Sequence, residues 1–145
     1  TAAAVVLLAR QGKLSLDDDV RKHIPEVPDY GTPITLRHLL NHTSGLRDWG
    51  SVVQLAGWPR GTRIHTHAHA LDVISRQKSL NFMPGEEFLY SNTGYTLMGT
   101  IVQRVSGKSL RQFTTERIFA PLGMKSSGSY GSPFSPYFSR SSSQS

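Results

Sequence analysis

The stretch FLYSNTGYTLMGTIV, residues 88 to 102, predicts the point where this chain turns from an extended segment into a helix. Its second half places apolar side chains at roughly helical spacing, so a helix is predicted that ends at Gly107. Asn92 can cap the start of that helix. Tyr90 stands two residues before Asn92, where a helix start exposes side chains and backbone N–H groups. The pair is therefore either a core tyrosine with a capping asparagine or part of a functional site.

The N-terminal part of the chain predicts two more helices. Residues 2 to 11, AAAVVLLARQ, form a helix that is apolar nearly all round, so we expect it to be buried. Gly12 ends this helix, and because no capping residue precedes it, its start is expected before Thr1. A second short helix is predicted after Ser15-Leu16, because three aspartates would lie in its first turn, where the helix dipole favours negative charge.

Three capping residues mark further helices. Thr35 precedes leucines at helical spacing in TPITLRHLLNHTSGL. Thr66 begins a helix that is predicted to run to about Lys78. Ser109 forms a capping box with Gln112 at the start of the next helix.

The remaining segments complete the predicted organisation. Residues 46 to 65 lack periodicity and are predicted to form a long ordered loop. From Ser126 the chain reads SSGSYGSPFSPYFSRSSSQS, a composition typical of disorder. We therefore predict one mostly α domain over residues 1–125, with at most one or two short strands, and a disordered tail over residues 126–145.

The composition excludes several classes of function. The chain has no cysteine, which excludes disulfides, thiolate metal sites and cysteine nucleophiles. The formal net charge is +6, but the basic residues are scattered without interleaved aromatics, so no nucleic-acid partner is predicted. The longest apolar run, AAAVVLLA, is far shorter than the roughly 20 residues that span a bilayer, so no membrane span is predicted. The cellular compartment stays open.

Four strings, taken in order, resemble the serine β-lactamase and penicillin-binding-protein superfamily. The branch they resemble most contains the class C β-lactamases, the D-alanyl-D-alanine carboxypeptidases and related esterases. The resemblance covers about residues 1 to 125. The strings are TAAAVVLLARQGKLSLDDDVRKHIPE, TPITLRHLLNHTSGL, PGEEFLYSNTGYTLMGTIVQRVSG and ERIFAPLGM.

The resemblance implies a fold and a chemistry. It implies the helical part of an α/β β-lactamase/transpeptidase-like domain, with most of the sheet missing. In this family a Tyr-x-Asn motif points both side chains into the active-site cleft, which assigns Tyr90 as catalytic base or proton relay and Asn92 as a substrate-binding residue. The family's reaction is acyl transfer through a serine, on a small-molecule or peptide substrate, without metal or cofactor. A phenol holds its proton at neutral pH, so Tyr90 needs nearby positive charge or a relay role.

The resemblance also implies two motifs that this chain does not contain. The nucleophile belongs to a Ser-x-x-Lys motif expected just before Thr1. A Lys-Thr-Gly or His-x-Gly motif is expected well downstream of Met124. We therefore expect the isolated chain to be inactive. Ser75-Arg76-Gln77-Lys78 matches the first motif by letter, but it lies late in a predicted surface helix without a buried run after it, so we reject it.

Two alternatives remain open. The absent nucleophile and the serine-rich tail are compatible with a non-catalytic binding protein on the same scaffold. His65, His67 and His69 are reminiscent of zinc hydrolases, but helical positions two apart do not share a face, so a solvated helix start is expected there. His42 is expected to fix its loop by hydrogen bonds rather than to act as a base. The exact substrate and the oligomeric state stay open.

Overall fold

Six α-helices and two short helical turns make up the part of the chain that the computed structural model describes, residues 1–58 and 65–128. The α-helices are α1 Ala2–Arg10, α2 Leu36–Leu40, α3 Trp49–Leu55, α4 His67–Ser75, α5 Asn92–Ser106 and α6 Leu110–Thr114. A 3₁₀ turn, Val20–Lys22, lies between α1 and α2, and a π-helical turn, Thr115–Phe119, follows α6.

The described residues confirm the prediction of a mostly α chain. They contain no β-strand, and a single isolated bridge pairs Asp19 with Thr35. No helix within the described ranges is long and apolar enough to cross a membrane. Residues 59–64 of the predicted loop and residues 129–145 of the predicted tail lie outside the described residues.

The helix α5 is the centre of the fold. It packs against α1, α2, α3, α4 and α6. Gly94 lets α2 approach closely, because a Cβ there would lie 3.0 Å from the carbonyl oxygen of Leu39. Apolar contact with α5 therefore organises the core. The largest fully buried side chains are Leu8, Ile24, Leu36, Leu39, Ile74, Leu97, Met98 and Ile101.

The first residue of α5 differs from the prediction. Ser91, rather than Asn92, is the N-cap, and its hydroxyl accepts a hydrogen bond from the Thr93 N–H at 3.2 Å. Asn92 is then the first helical residue, so its side chain is available for other partners. The predicted end is confirmed, because Gly107 follows the helix in the left-handed conformation.

The three predicted capping residues are confirmed. Thr35, Thr66 and Ser109 each accept a hydrogen bond at 3.2 Å from the backbone N–H three residues further on. In each case that third residue returns a side-chain hydrogen bond to the N–H of the cap, which completes a capping box. The returning side chains belong to His38, His69 and Gln112.

The predicted loop over residues 46–65 is wrong for its first half, because α3 lies within it. Asp48 caps this helix through the Ser51 N–H at 2.9 Å, and Trp49 and Val53 are buried one turn apart. Seven residues with two core contacts are too few for helical periodicity to stand out.

Three further features differ from the prediction. The helix that begins after Thr66 ends at Ser75 rather than near Lys78. The second short helix forms only as the 3₁₀ turn, capped by the Asp19 carboxylate. The expectation that the first helix is buried all round is also wrong, because Val6 is 40% exposed.

Candidate active site

Tyr90 ends the extended segment that leads into α5, and it faces solvent. The residue is 63% exposed, and its hydroxyl donates a hydrogen bond to Asn92 Oδ1 at 3.3 Å. The segment is attached to the preceding part of the fold by the Leu89 N–H, which donates to the His42 carbonyl oxygen at 3.0 Å. The structure thus brings the two side chains of the predicted Tyr-x-Asn motif together at an accessible surface.

Asn92 is held from its other side by Asp48. The Asn92 backbone N–H and its side-chain Nδ2 both donate to Asp48 Oδ1, each at 2.9 Å. Asp48 Oδ2 accepts from the Ser51 N–H and the Ser51 hydroxyl, also at 2.9 Å each. One carboxylate therefore serves the first turns of both α3 and α5, where helix dipoles favour negative charge.

Burial and hydrogen bonding have opposite effects on the pKa of Asp48, and hydrogen bonding has the larger effect. Burial by itself would raise the pKa of the carboxyl, but the donors of Asn92 and Ser51 hold that pKa below the ordinary value of 3.8. Asp48 is therefore ionised at neutral pH and acts only as a hydrogen-bond acceptor.

His42 packs between the extended segment and α5. Its ring packs between Tyr90, with centroids 4.7 Å apart, and Tyr95, with centroids 5.1 Å apart. Its Nδ1 accepts a hydrogen bond from the Ser91 N–H at 3.3 Å, which places the proton of the neutral ring on Nε2. His42 adopts a φ of 56°, which is uncommon for a residue other than glycine. These contacts confirm the prediction that His42 fixes its loop.

Thr93 connects the same loop to the buried side of α5. Its hydroxyl donates to the Arg47 carbonyl oxygen at 2.7 Å and accepts from the Trp49 N–H at 2.9 Å. The Thr93 residue is 1% exposed, so both hydrogen bonds are shielded from water. The position of Asp48, between Arg47 and Trp49, is consequently fixed relative to α5.

The histidine segment before α4 is arranged differently from the prediction. The expectation of a solvated helix start is wrong for His65, which is 2% exposed and packs edge-on against Trp49, with centroids 5.7 Å apart. Neither ring nitrogen of His65 has a hydrogen-bond partner among the described residues. His69 is used in the capping box with Thr66. Within residues 1–58 and 65–128, no group of three or more His, Asp or Glu side chains is placed to hold a metal ion.

The rejected serine Ser75 is engaged in its own helix. Its hydroxyl donates to the Asp72 carbonyl oxygen at 2.8 Å, and Lys78 lies beyond the end of α4 on the surface. This hydrogen bond keeps the Ser75 hydroxyl within α4.

Asp48 was not among the predicted site residues. A local signal exists, because aspartate is a favoured N-cap and the apolar Trp49 and Val53 follow it at one-turn spacing. That signal would have predicted α3. It would not have predicted the hydrogen bonds to Asn92, which lies 44 residues further along the chain.

The chain is similar to known proteins of one family. The model of the Beta-lactamase family matches residues 1–137. A penicillin-binding protein of Bacillus subtilis (strain 168) is 37% identical over 137 residues, which cover 94% of this chain. The chain belongs to the β-lactamase family. It spans 30% of the length of that Bacillus relative.

Solved structures of the β-lactamase family share the fold. The D-stereospecific amidohydrolase from a Streptomyces species superposes with a TM-score of 0.70 at 32% identity, over 83% of this chain and 39% of that one. The D-amino acid amidase from Ochrobactrum anthropi SV3 gives a TM-score of 0.68 at 34% identity, over 86% of this chain and 36% of that one. These relatives place the chain in the serine β-lactamase and penicillin-binding-protein superfamily and support a hydrolase.

Proposed function

We propose that this chain is the helical part of a serine hydrolase that acts through an acyl-enzyme on an ester, a peptide or a β-lactam. Tyr90 is the general base or proton relay, and Asn92 positions the substrate. The observation that carries the proposal is the exposed Tyr90 hydroxyl, 3.3 Å from Asn92 Oδ1, at the start of α5 in a β-lactamase-family chain. The names of the amidohydrolase and amidase relatives support amide cleavage as one of the three reactions.

The reaction makes separate demands on the two side chains. The attacking serine hydroxyl loses its proton as its oxygen bonds to the acyl carbon, and the leaving group later takes up a proton. Tyr90 can take up that proton as a phenolate stabilised by a neighbouring cation, or it can relay the proton by accepting it while it passes its own proton on. A lysine of a Ser-x-x-Lys motif would supply that charge. Asn92 keeps one amide N–H on the side away from Asp48, where it can donate to the acyl oxygen of the substrate, and its Oδ1 accepts from the Tyr90 hydroxyl.

The 145 residues are expected to be inactive by themselves. Ser91 is 4% exposed and uses its hydroxyl to cap α5, so it is unsuited to attack a substrate. Ser75 donates within α4. The preorganised donors that stabilise a developing oxyanion contribute much of the rate in acyl transfer, and in this family they adjoin the nucleophile.

Substitution of Tyr90 tests the proposal. In a form of the protein extended upstream through a Ser-x-x-Lys motif, Tyr90→Phe should lower turnover by about 100-fold, the usual contribution of a proton-transfer group. Tyr30→Phe is the matched control, because its hydroxyl bonds the Gln77 carbonyl oxygen away from the site. Near-normal turnover in Tyr90→Phe, with Tyr30→Phe equally active, would contradict the assigned role.

Two measurements separate this function from its alternative. Assay of the isolated chain with an activated ester, a chromogenic β-lactam and a D-amino-acid amide should give no burst of product. A burst stoichiometric with protein and lost on substitution of Ser75 or Ser91 would show a nucleophile within this chain. The coding sequence upstream of Thr1 is the second measurement. A Ser-x-x-Lys motif there supports the hydrolase, and a different motif favours the non-catalytic binding protein.

A further inference from the structure

The carboxamide of Asn92 has two possible orientations, and only one of them suits its neighbours. Rotation of the amide by half a turn exchanges Oδ1 and Nδ2 with little change in shape. On one side the amide meets Asp48 Oδ1 at 2.9 Å, and on the other it meets the Tyr90 hydroxyl at 3.3 Å. A phenol can donate or accept, so Tyr90 tolerates either orientation. An ionised carboxylate accepts only, so Asp48 requires the nitrogen.

We infer that Asp48 is a positioning residue that holds the Asn92 carboxamide with its oxygen facing Tyr90. The inference rests on the proposed function, in which Asn92 binds the substrate and Tyr90 moves a proton. Asp48 does not touch the reacting atoms in this assignment. It acts through Asn92, by deciding which atom the amide presents to the cleft.

The two carboxylate oxygens of Asp48 accept from different residues, which supports this assignment. Oδ1 receives both donors of Asn92, and Oδ2 receives both donors of Ser51. A neutral amide at position 48 has one oxygen and one nitrogen, so it can satisfy only one of these pairs. If the oxygen of that amide accepts from Ser51, its nitrogen faces Asn92. The Asn92 carboxamide must then rotate by half a turn to present its oxygen to that nitrogen. The charge and symmetry of a carboxylate are therefore what the site requires.

Capping of α3 is a separate role of Asp48, and a substitution can distinguish the two. Asparagine caps helices about as well as aspartate, so Asp48→Asn preserves the N-cap while it removes the second acceptor. Ser51→Ala is the matched control. It removes the hydroxyl bonded to Oδ2 and leaves the contacts between Asp48 and Asn92 in place.

Nuclear magnetic resonance of the 145-residue chain tests the orientation without any need for activity. Asp48→Asn should shift the Asn92 side-chain amide signals and speed their exchange with solvent, whereas Ser51→Ala should leave them near their original positions. Unchanged Asn92 side-chain signals in a folded Asp48→Asn variant would overturn the inference. Should that variant fail to fold, the unsubstituted chain gives the same test. Its Asn92 side-chain signals should move as Asp48 becomes protonated in acid, and constant signals would overturn the inference.

A kinetic double-mutant cycle in the extended, active form tests the consequence. Asp48→Asn should lower kcat by up to about 100-fold with a smaller change in KM, the scale of loss when a group that orients the substrate is misplaced. In an Asn92→Ala background the same substitution should have no further effect. An equal additional loss in that background would show that Asp48 acts through stability and would overturn the inference.

The same cycle separates this inference from the proposed function. If Asn92→Ala and Tyr90→Phe both leave turnover unchanged, the proposed function fails, and the amide signals still decide whether Asp48 orients Asn92. If Asn92→Ala lowers turnover and Asp48→Asn does not, the inference about Asp48 fails while the proposed function stands.

Discussion

The starts of α4 and α5 are both capped by a hydroxyl side chain, but their supporting contacts differ in reach. At α4, the Thr66 hydroxyl accepts from the His69 N–H at 3.2 Å, and His69 Nδ1 accepts from the Thr66 N–H at 3.3 Å. Both bonds join residues three apart on the surface. At α5, Ser91 provides a local cap, but the Asn92 N–H bonds Asp48 and the Ser91 N–H bonds His42, more than forty residues earlier in the chain.

This difference explains why one helix start is a candidate site and the other is not. The capping box of α4 satisfies its own backbone donors, and it gives His69 a structural role within one turn. The start of α5 joins three segments: the loop of residues 42–48, the extended residues 88–90 and the helix itself. Side chains held by several segments keep a defined geometry, which a binding or catalytic site requires.

The largest expected effect comes from a change in the distant loop that supports α5. Gly45 has a φ of +71°, and a Cβ there would lie 2.1 Å from the Phe82 carbonyl oxygen. Gly45→Ala should therefore lower the free energy of unfolding by about 3 kcal/mol or more, since backbone strain and a backbone clash combine. Urea denaturation measures the change.

Gly12→Ala is the control for that experiment. Gly12 also has a positive φ, +68°, but no atom lies within 4 Å of a Cβ placed there. Its substitution should cost only about 1 kcal/mol, the conformational strain alone. Equal losses in the two variants would show that the close approach of Gly45 to Phe82 contributes nothing.

A pair of threonine substitutions compares the two helix starts directly. Thr93→Val keeps the side-chain shape but removes the hydroxyl that bonds the Arg47 carbonyl oxygen and the Trp49 N–H in the interior. We expect a loss of about 2 to 3 kcal/mol, because buried polar groups lose a partner that water does not replace. Thr66→Val at α4 should cost about 1 kcal/mol, the usual value of an N-cap. Thermal and urea unfolding of both variants give the values, and an equal cost would remove the distinction between the two starts.

The smallest expected effect is a loss of stability in acid that depends on Asp48, whose carboxylate accepts hydrogen bonds at the start of α5. The folded-state pKa of Asp48 is lower than its ordinary value of 3.8, because the hydrogen bonds from Asn92 and Ser51 outweigh burial. The stabilising contribution is therefore present above pH 3.8 and is lost as the pH falls through the folded-state value. The stability difference between the unsubstituted chain and Asp48→Asn should narrow in that range.

Urea denaturation at about pH 5 and again at about pH 3 measures this narrowing. Thr66→Val is the control, because its local capping box contains no carboxylate and its difference from the unsubstituted chain should change less. A difference for Asp48→Asn that stays constant between the two pH values would contradict the lowered pKa of Asp48.

Local chemistry made much of the fold predictable. The caps at Thr35, Thr66 and Ser109, and the end of α5 at Gly107, depend on residues within a few positions of one another, so they are visible in the sequence. The pairing of Tyr90 with Asn92 was predictable for the same reason, because the two residues are only two apart. Their catalytic and substrate-binding roles stay predictions.

The burial of His65 depended on contacts that local patterns do not contain. His65 lies between Trp49 and Trp58, with ring centroids 5.7 and 5.9 Å away, and only the packing of α3 beside α4 creates that environment. The sequence of the histidine segment itself predicts a solvated helix start, because its threonine is a favoured N-cap and its histidines are polar.

The sequence by itself determined most of the helices, the caps at Thr35, Thr66 and Ser109, and the neighbouring Tyr90 and Asn92, since hydrogen bonds over three or four residues and helical periodicity need no distant partner. Only the tertiary structure decided that Asp48 bonds Asn92 and that His42 packs beneath Tyr90. These contacts join residues 44 and 48 positions apart, and the chain brings them together only when α2, α3 and α5 pack around a common core. The physical reason is that the residue type of Asp48 makes it a hydrogen-bond acceptor, whereas the donors that reach it depend on the packing of segments that lie far apart in the sequence.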